Sequence, residues 1–299
     1  MHLSPDSGWR MPAEWTRHAA TWMVWPHNRG LWEAGWRVTL ADVQRDYARV
    51  AAAIARFEPV KMVVDPSALE SARALCSANI ELIELAVDDS WCRDSGPSFI
   101  WHPQHGLAGL SWRFNAWGGK SQHGHDRSLG RRILDQLGLD GFSTPLCNEG
   151  GAIHVDGEGT LITTESVLLN PNRNPGVSKA EFEACFARYL GISKTIWLPG
   201  DPQYVTGDMT DGHVDGVCAF ARPGVLLVDA THDAHSVYAE VVRENRRALE
   251  LATDARGRHF ELLDLYEASD AVDPGAEVFC ASYTNFYIAN GAIIMPAYG

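Results

Sequence analysis

Three short segments of this sequence concentrate groups able to bind a cation or move a proton. The first is Asp88-Asp89-Ser90-Trp91-Cys92-Arg93-Asp94-Ser95-Gly96-Pro97, with three carboxylates, an arginine and a tryptophan ahead of a turn. A carboxylate such as Asp94 can accept two N–H bonds from a planar guanidinium, with Asp88 adding a further negative charge nearby. The indole of Trp91 offers the same cation an aromatic face. The second is Asn148-Glu149-Gly150-Gly151-Ala152-Ile153-His154, where Glu149 precedes a glycine pair that lets backbone come close to a ligand. The third is Thr210-Asp211-Gly212-His213-Val214-Asp215-Gly216. On a strand, His213 and Asp215 would share a face, and an imidazole beside a carboxylate is a workable general acid/base. Taken alone, each segment also suits a blander role: a solvated loop, a glycine-rich turn, or a strand facing water.

Two further clusters, His123-Gly124-His125-Asp126 and His232-Asp233-Ala234-His235, look like metal tracts but have no third and fourth ligand at a recognisable spacing. They read as loop histidines, and no metal or organic cofactor is expected. The six cysteines, Cys76, Cys92, Cys147, Cys185, Cys218 and Cys280, contain no C-x-x-C pair. Neither a zinc site nor a disulfide framework follows from that spacing, and reduced thiols in a cytoplasmic protein are the expectation.

The elements that must position these segments repeat. His154-Val155-Asp156-Gly157 recurs as His213-Val214-Asp215-Gly216, 59 positions later. Each copy precedes an apolar strand, at Thr160–Thr164 and, after a Pro223-Gly224 turn, at Val225–Asp229. Strands are likewise expected at Phe99–Trp101 and Leu110–Phe114, and across an Asn290-Gly291 hairpin joining Tyr283–Ala289 to Ala292–Pro296. Between them lie amphipathic helices: Trp36–Phe57, with Val43, Tyr47, Val50 and Ile54 on one face; Ser178–Leu190, opened by a Ser178/Glu181 capping box; and Val237–Ala252. A hairpin, helix, strand unit recurring about every 60–75 residues predicts an α/β ring or solenoid whose units bury one another. A doubly wound sheet competes with it, but the glycine-rich phosphate loop of that fold is missing. Trp9, Trp15, Trp22, Trp25, Trp32 and Trp36 are expected in the core and between units.

Composition sets the outer bounds. The 299 residues are 45% hydrophobic and 21% charged, which describes a folded globular chain. The formal charge of −13 argues against nucleic acid as a partner and suits a small cation. No apolar run is long enough to span a bilayer, and Met1 to Arg10 lacks the pattern of a signal peptide.

In order along the chain, these segments resemble the agmatine deiminase family, relatives of bacterial peptidylarginine deiminase. The matching stretches are Met11–Trp15, Thr21–Pro26, Asp89–Pro97, Phe114–Gly119, Glu149–Thr160, Leu169–Pro175, Thr210–Asp215 and Ser282–Asn290. The resemblance implies a five-fold pseudo-symmetric α/β propeller over residues 1–299 as a single catalytic domain, its last unit incomplete. It implies hydrolysis of agmatine to N-carbamoylputrescine and ammonia through a cysteine thiouronium intermediate. Carried over by motif, Asp94 and Asp215 would grip the guanidinium, His213 would be the general acid/base, and Glu149 would bind or polarise the substrate. Trp91, Asp88, Gly150 and Asp211 would line the substrate site. The family often forms oligomers, and nothing in this sequence sets a number.

Two departures qualify the resemblance. The family's nucleophile lies in a glycine-rich segment ending His-Cys near the C-terminus, whereas this sequence closes on Ile293-Ile294-Met295-Pro296-Ala297-Tyr298-Gly299. None of the six cysteines has a matching context, so the expectation is a deiminase whose catalysis depends on residues beyond Gly299. The alternative is a shortened, inactive guanidino-binding protein. The second departure is Met209, in Asp208-Met209-Thr210-Asp211-Gly212-His213, where agmatine deiminases commonly carry an acid. It leaves another guanidino substrate, such as peptidyl arginine, open.

Overall fold

A computed structural model describes residues 8–203, 207–235, 237–268 and 282–297. Among the described residues five small sheets follow one another. The first holds β1 (Thr21–Val24), β2 (Val60–Val64) and β3 (Glu81–Glu84), all parallel, joined through α1 (Leu40–Ile54) and α2 (Leu69–Leu75). The next three share one plan. A short helical turn leads into an antiparallel pair of strands, and a helix then carries the chain to a third strand parallel to the second.

In the second unit the turn is α3 (Cys92–Ser95) and the pair is β4 (Ser98–His102) and β5 (Gly106–Arg113). Two helices, α4 (Ala116–Gly119) and α5 (Leu129–Gln136), lead to β6 (Gly141–Cys147). In the third a 3-10 turn at Gly150–Ala152 enters β7 (Ile153–Val155) and β8 (Thr160–Thr164). The helices α6 (Glu165–Leu168) and α7 (Lys179–Leu190) then lead to β9 (Lys194–Leu198). In the fourth a 3-10 turn at Val214–Gly216 enters β10 (Cys218–Arg222) and β11 (Val225–Ala230), and α8 (Val237–Leu251) returns to β12 (Glu261–Tyr266). The last sheet is the hairpin β13 (Tyr287–Ala289) and β14 (Ala292–Ile294) around Asn290-Gly291. Five sheets with interspersed helices match the propeller expectation.

Local chemistry explains the boundaries. Ser178 caps α7 through the Glu181 N–H while the Glu181 carboxylate takes the Ser178 N–H, and Gly191 ends the helix in the left-handed region at φ 69°. The helix expected from Trp36 starts only at Leu40, because Arg37 sits at φ 56° and Thr39 supplies the cap. Val50 is exposed, and Ala48 and Ala51 turn inward beside Val43 and Ile54 instead. The strand expected over Tyr283–Ala289 begins only at Tyr287, since Ser282 and Thr284 spend their hydroxyls on Asp229 and the Asp215 carbonyl.

The units bury one another. In β8 every residue is buried; Leu161 joins a core with Leu110, Phe182 and Phe186, while Ile162, on the opposite face, joins Leu198, Phe220 and Leu226. Each such side chain contributes on the order of 1.5–3 kcal/mol. Trp9, Trp25 and Trp32 are buried as expected, while Trp15, Trp22 and Trp36 remain partly exposed. The last hairpin closes onto the first sheet. Tyr287 and Ile294 pack on the core of β2 and α1, and the buried Glu58 accepts hydrogen bonds from Tyr287 Oη at 2.7 Å, the Asn290 N–H at 2.7 Å and Thr21 Oγ1, with His18 Nδ1 at 3.0 Å.

The HVDG repeat is in a different register from the one the tetrapeptides suggest. His154-Val155 lies inside β7, but Val214-Asp215-Gly216 forms the turn before β10. The structural equivalents are α3, Gly150–Ala152 and Val214–Gly216, each placed just ahead of the first strand of its unit.

Candidate active site

Those three turns pack against one another, and each delivers acidic or basic side chains to the same place. Asp94 comes from α3, Glu149 precedes the second turn, and His213 and Asp215 flank and occupy the third. The strand expected for His213 and Asp215 is absent, because Asp211 and Gly212 have φ of 66° and 94° and break extended backbone. Asp208 caps that bend through the Thr210 and Gly212 N–H groups, and Thr210 Oγ1 accepts from the His213 N–H at 3.1 Å. The two side chains still converge. A Cβ placed on Gly151 would lie 2.6 Å from Asp215 Oδ2, 2.6 Å from His213 Nδ1 and 3.0 Å from Asp94 Oδ1. Two carboxylates and an imidazole therefore crowd against the Gly151 backbone, and only glycine fits among them. Gly150 makes a different close approach: a Cβ there would fall 1.9 Å from the Arg93 carbonyl oxygen, so it lets two turns touch.

Beneath this convergence the polar groups are tied down. The Gly151 N–H donates to Asp94 Oδ1 at 3.0 Å and the Trp117 indole N–H to Asp94 Oδ2 at 2.9 Å. His213 Nε2 meets Glu149 Oε2 at 3.2 Å, while its Nδ1 stands 3.9 Å from Asp94 Oδ1. Glu149 is fully buried, and Arg173 Nε reaches both of its oxygens at 2.9 and 3.0 Å. Burial acts to lower the His213 pKa, but Asp94, the Glu149 hydrogen bond and Asp215 outweigh it and push it up to about 9. Burial raises Asp215 to about 6, with Asp94 adding to the rise and His213 and Arg93 opposing it. Burial also acts to raise Glu149, yet His213 and Arg173 hold it below its ordinary value. At neutral pH the site thus holds an imidazolium among carboxylates.

An aromatic wall stands beside it. Phe114, Ala116 and Trp117 form a small buried cluster against which Trp91 and Met209 pack, and Trp91 lies 6.2 Å from Trp32 and 6.1 Å from Trp36, ring to ring. Ala116 and Trp117 both take positive φ, 52° and 55°, a strained backbone that aims the Trp117 indole at Asp94. Two other expected site residues are engaged elsewhere. Asp88 Oδ2 accepts the His125 and Asp126 N–H groups, bracing a loop. Asp211 accepts from Arg173 and from Lys120 Nζ, each at 2.5 Å.

Comparison with known proteins fits this arrangement. Residues 10–299 match the family model for Porphyromonas-type peptidyl-arginine deiminase. The chain belongs to that family. It is 40% identical to the agmatine deiminase of Medicago truncatula, over 100% of this chain and 87% of that protein. It is 41% identical to the agmatine deiminase of Stutzerimonas stutzeri, over 98% of this chain and 84% of that protein. The solved agmatine deiminase of Enterococcus faecalis superposes with a TM-score of 0.89 at 32% identity, over 97% of this chain and 84% of that one.

In this family member the described cysteines are poor nucleophiles. Cys92 packs into an apolar cluster with Val24 and Ile133, and burial pushes its thiol up to about 12. Burial likewise takes Cys147 and Cys218 to about 12, Cys185 to about 11, and raises Cys76. Cys280 lies outside the described residues. The histidine clusters are loop features: Asp126 accepts the Asp88 and Asp89 N–H groups, and His232 stacks on Tyr266 at 4.0 Å. Among the described residues no helix is long and apolar enough to cross a membrane. Sequence reasoning assigned no site role to three members of the site's surroundings: Trp117, Arg173 and Arg93, whose Nη1 meets Glu14 Oε1 at 2.7 Å. The Trp-Gly-Gly run after Ala116 marked a special backbone; nothing in the sequence marked Arg173 as buried.

Proposed function

We propose that this protein hydrolyses the guanidino group of agmatine, giving N-carbamoylputrescine and ammonia. The observation that carries the reading is the convergence of Asp94, Asp215 and His213 beside the Gly151 backbone. A flat cation with N–H groups on its edges suits two carboxylates there, and an imidazolium beside them can protonate a departing amine. The close relationship to agmatine deiminases supplies the substrate class.

In this reading Asp94 and Asp215 accept the guanidinium N–H bonds and fix the carbon for attack. A thiolate adds to that carbon, forming a C–S bond. The C–N bond then breaks, and the nitrogen leaves as ammonia with the His213 proton. Neutral His213 next takes a proton from water, which adds to the thiouronium carbon, and cleavage of the C–S bond yields the ureido product and frees the thiol. Since the described thiols are held protonated by burial, the attacking sulfur is to be sought outside the described residues. Trp91 and Trp117 would wall the substrate, with Met209 packed against the same aromatic cluster.

Ammonia release from agmatine, read beside calorimetric binding, tests this. Release with turnover supports it. Heat of binding without ammonia favours an inactive guanidino-binding protein, and release from a peptidyl arginine but not from agmatine would move the substrate assignment.

A further inference from the structure

Arg173 is among the largest fully buried side chains of the described residues, and its charge is divided between two segments. Its Nε bonds both oxygens of Glu149. Its Nη1 bonds Asp211 Oδ2 at 2.5 Å and Asn172 Oδ1 at 3.0 Å, and its Nη2 bonds the Thr210 carbonyl at 2.9 Å. Asp211 in turn takes Lys120 Nζ at 2.5 Å. Charges therefore alternate in a line from Lys120 through Asp211, Arg173 and Glu149 to His213. The same guanidinium grips the bend from Asp208 to His213, which carries the imidazole, and the carboxylate that this imidazole meets.

We propose that Arg173 is a positioning residue, holding Glu149 in the orientation that in turn holds the His213 ring toward the reacting carbon. This rests on the deiminase reading for its kinetic consequence, although the geometry does not. Leaving a charge buried without its partner is costly, and the fork joins His213 in keeping Glu149 ionised beneath the site. A lysine at this position keeps the charge but cannot bond Glu149, Asp211 and the Thr210 carbonyl together. The groups facing His213 are Glu149, Asp94 and Asp215, with Arg93 and Asp208 acting on Asp215 from behind.

The test is a double-mutant cycle between Arg173→Lys and Glu149→Ala, with Glu149→Gln in reserve should the alanine variant not fold. Ammonia release from agmatine and the NMR titration of the His213 ring are both measured. Arg173→Lys is expected to lower kcat about 10²-fold, the cost of a misplaced catalytic group, with KM within about twofold. In the Glu149→Ala background its effect on kcat and on the His213 titration should be several-fold smaller, because only the route through the Asp211 and Thr210 bend remains. Asn172→Ala, an exposed brace of the same guanidinium, should repeat the pattern with a smaller loss and stands in if Arg173→Lys does not fold. Equal losses with and without Glu149, or a raised KM with kcat unchanged, would overturn the proposal. A wild-type protein releasing no ammonia would instead sink the deiminase reading, and the His213 titrations across the same cycle would still decide the role of Arg173.

Discussion

Two buried glutamates divide this molecule into a part that is finished and a part that is poised. Glu58, where the last hairpin meets the first sheet, receives Thr21, Tyr287, His18 and the Asn290 N–H, so both its oxygens are engaged. Burial acts to raise its pKa, and those hydrogen bonds hold it below the ordinary value. Glu149 is as deeply buried, yet its partners are Arg173 and an imidazole whose other nitrogen lies beside the Gly151 backbone with two more carboxylates. The first network is closed and ties chain ends together. The second carries unspent acidity and hydrogen-bonding capacity where two further carboxylates converge on the same imidazole. Full satisfaction makes a buried polar network a structural device, and incomplete satisfaction at a converging point makes one a site for chemistry.

The sharpest way to break this contrast is at His213. His213→Gln should lower ammonia release from agmatine by about 10²–10⁴-fold while leaving the thermal transition in place, as expected of a general acid/base. A rate within twofold of wild type would remove His213 from the mechanism. In the wild type, kcat/KM should form a bell. It should fall below about pH 6, where Asp215 gains a proton, and above about pH 9, where His213 loses one.

Gly151→Ala comes next, because the methyl would clash with Asp215, His213 and Asp94 and push the three groups apart. Substrate binding by calorimetry should weaken by at least about 10²-fold, the scale of losing one charge-assisted hydrogen bond or more. Unchanged affinity would mean that the substrate sits elsewhere. Trp117→Phe keeps the wall but removes one hydrogen bond to the Asp94 carboxylate. A rise in KM of about tenfold is expected, and no change would make that bond incidental.

The smallest catalytic effect should come from the finished network. Glu58→Gln should leave the rate constants alone and cost about 1–3 kcal/mol of stability at neutral pH, measured by denaturant unfolding. The sign with pH follows from the lowered pKa. The Glu58 contribution is fully present above its unfolded value near 4.5 and is lost as pH falls through the lower folded value, so the variant and wild type should converge in acid. Divergence toward acid would contradict the assignment.

Much of this protein was legible in one dimension. Capping chemistry placed α7, the Asn290-Gly291 pair placed the last hairpin, and the recurrence of αβ units announced a ring, because these depend on neighbours along the chain. The identities of Asp94, Glu149, His213 and Asp215 could be named from motifs for the same reason: each sits in a short run of unusual composition. What the tertiary structure decided was how those runs meet. The two HVDG tetrapeptides are alike in letters and unlike in backbone, since Asp211 and Gly212 at positive φ turn the second into a bend that no strand periodicity reports. Asp88, acidic and close in sequence to Asp94, braces a loop, whereas Arg173, 79 positions from Asp94, lies beneath the site through Glu149. Local propensity is written residue by residue, but electrostatic roles depend on distance through space. Distance is settled only when the units of the ring pack and exclude water from their shared centre.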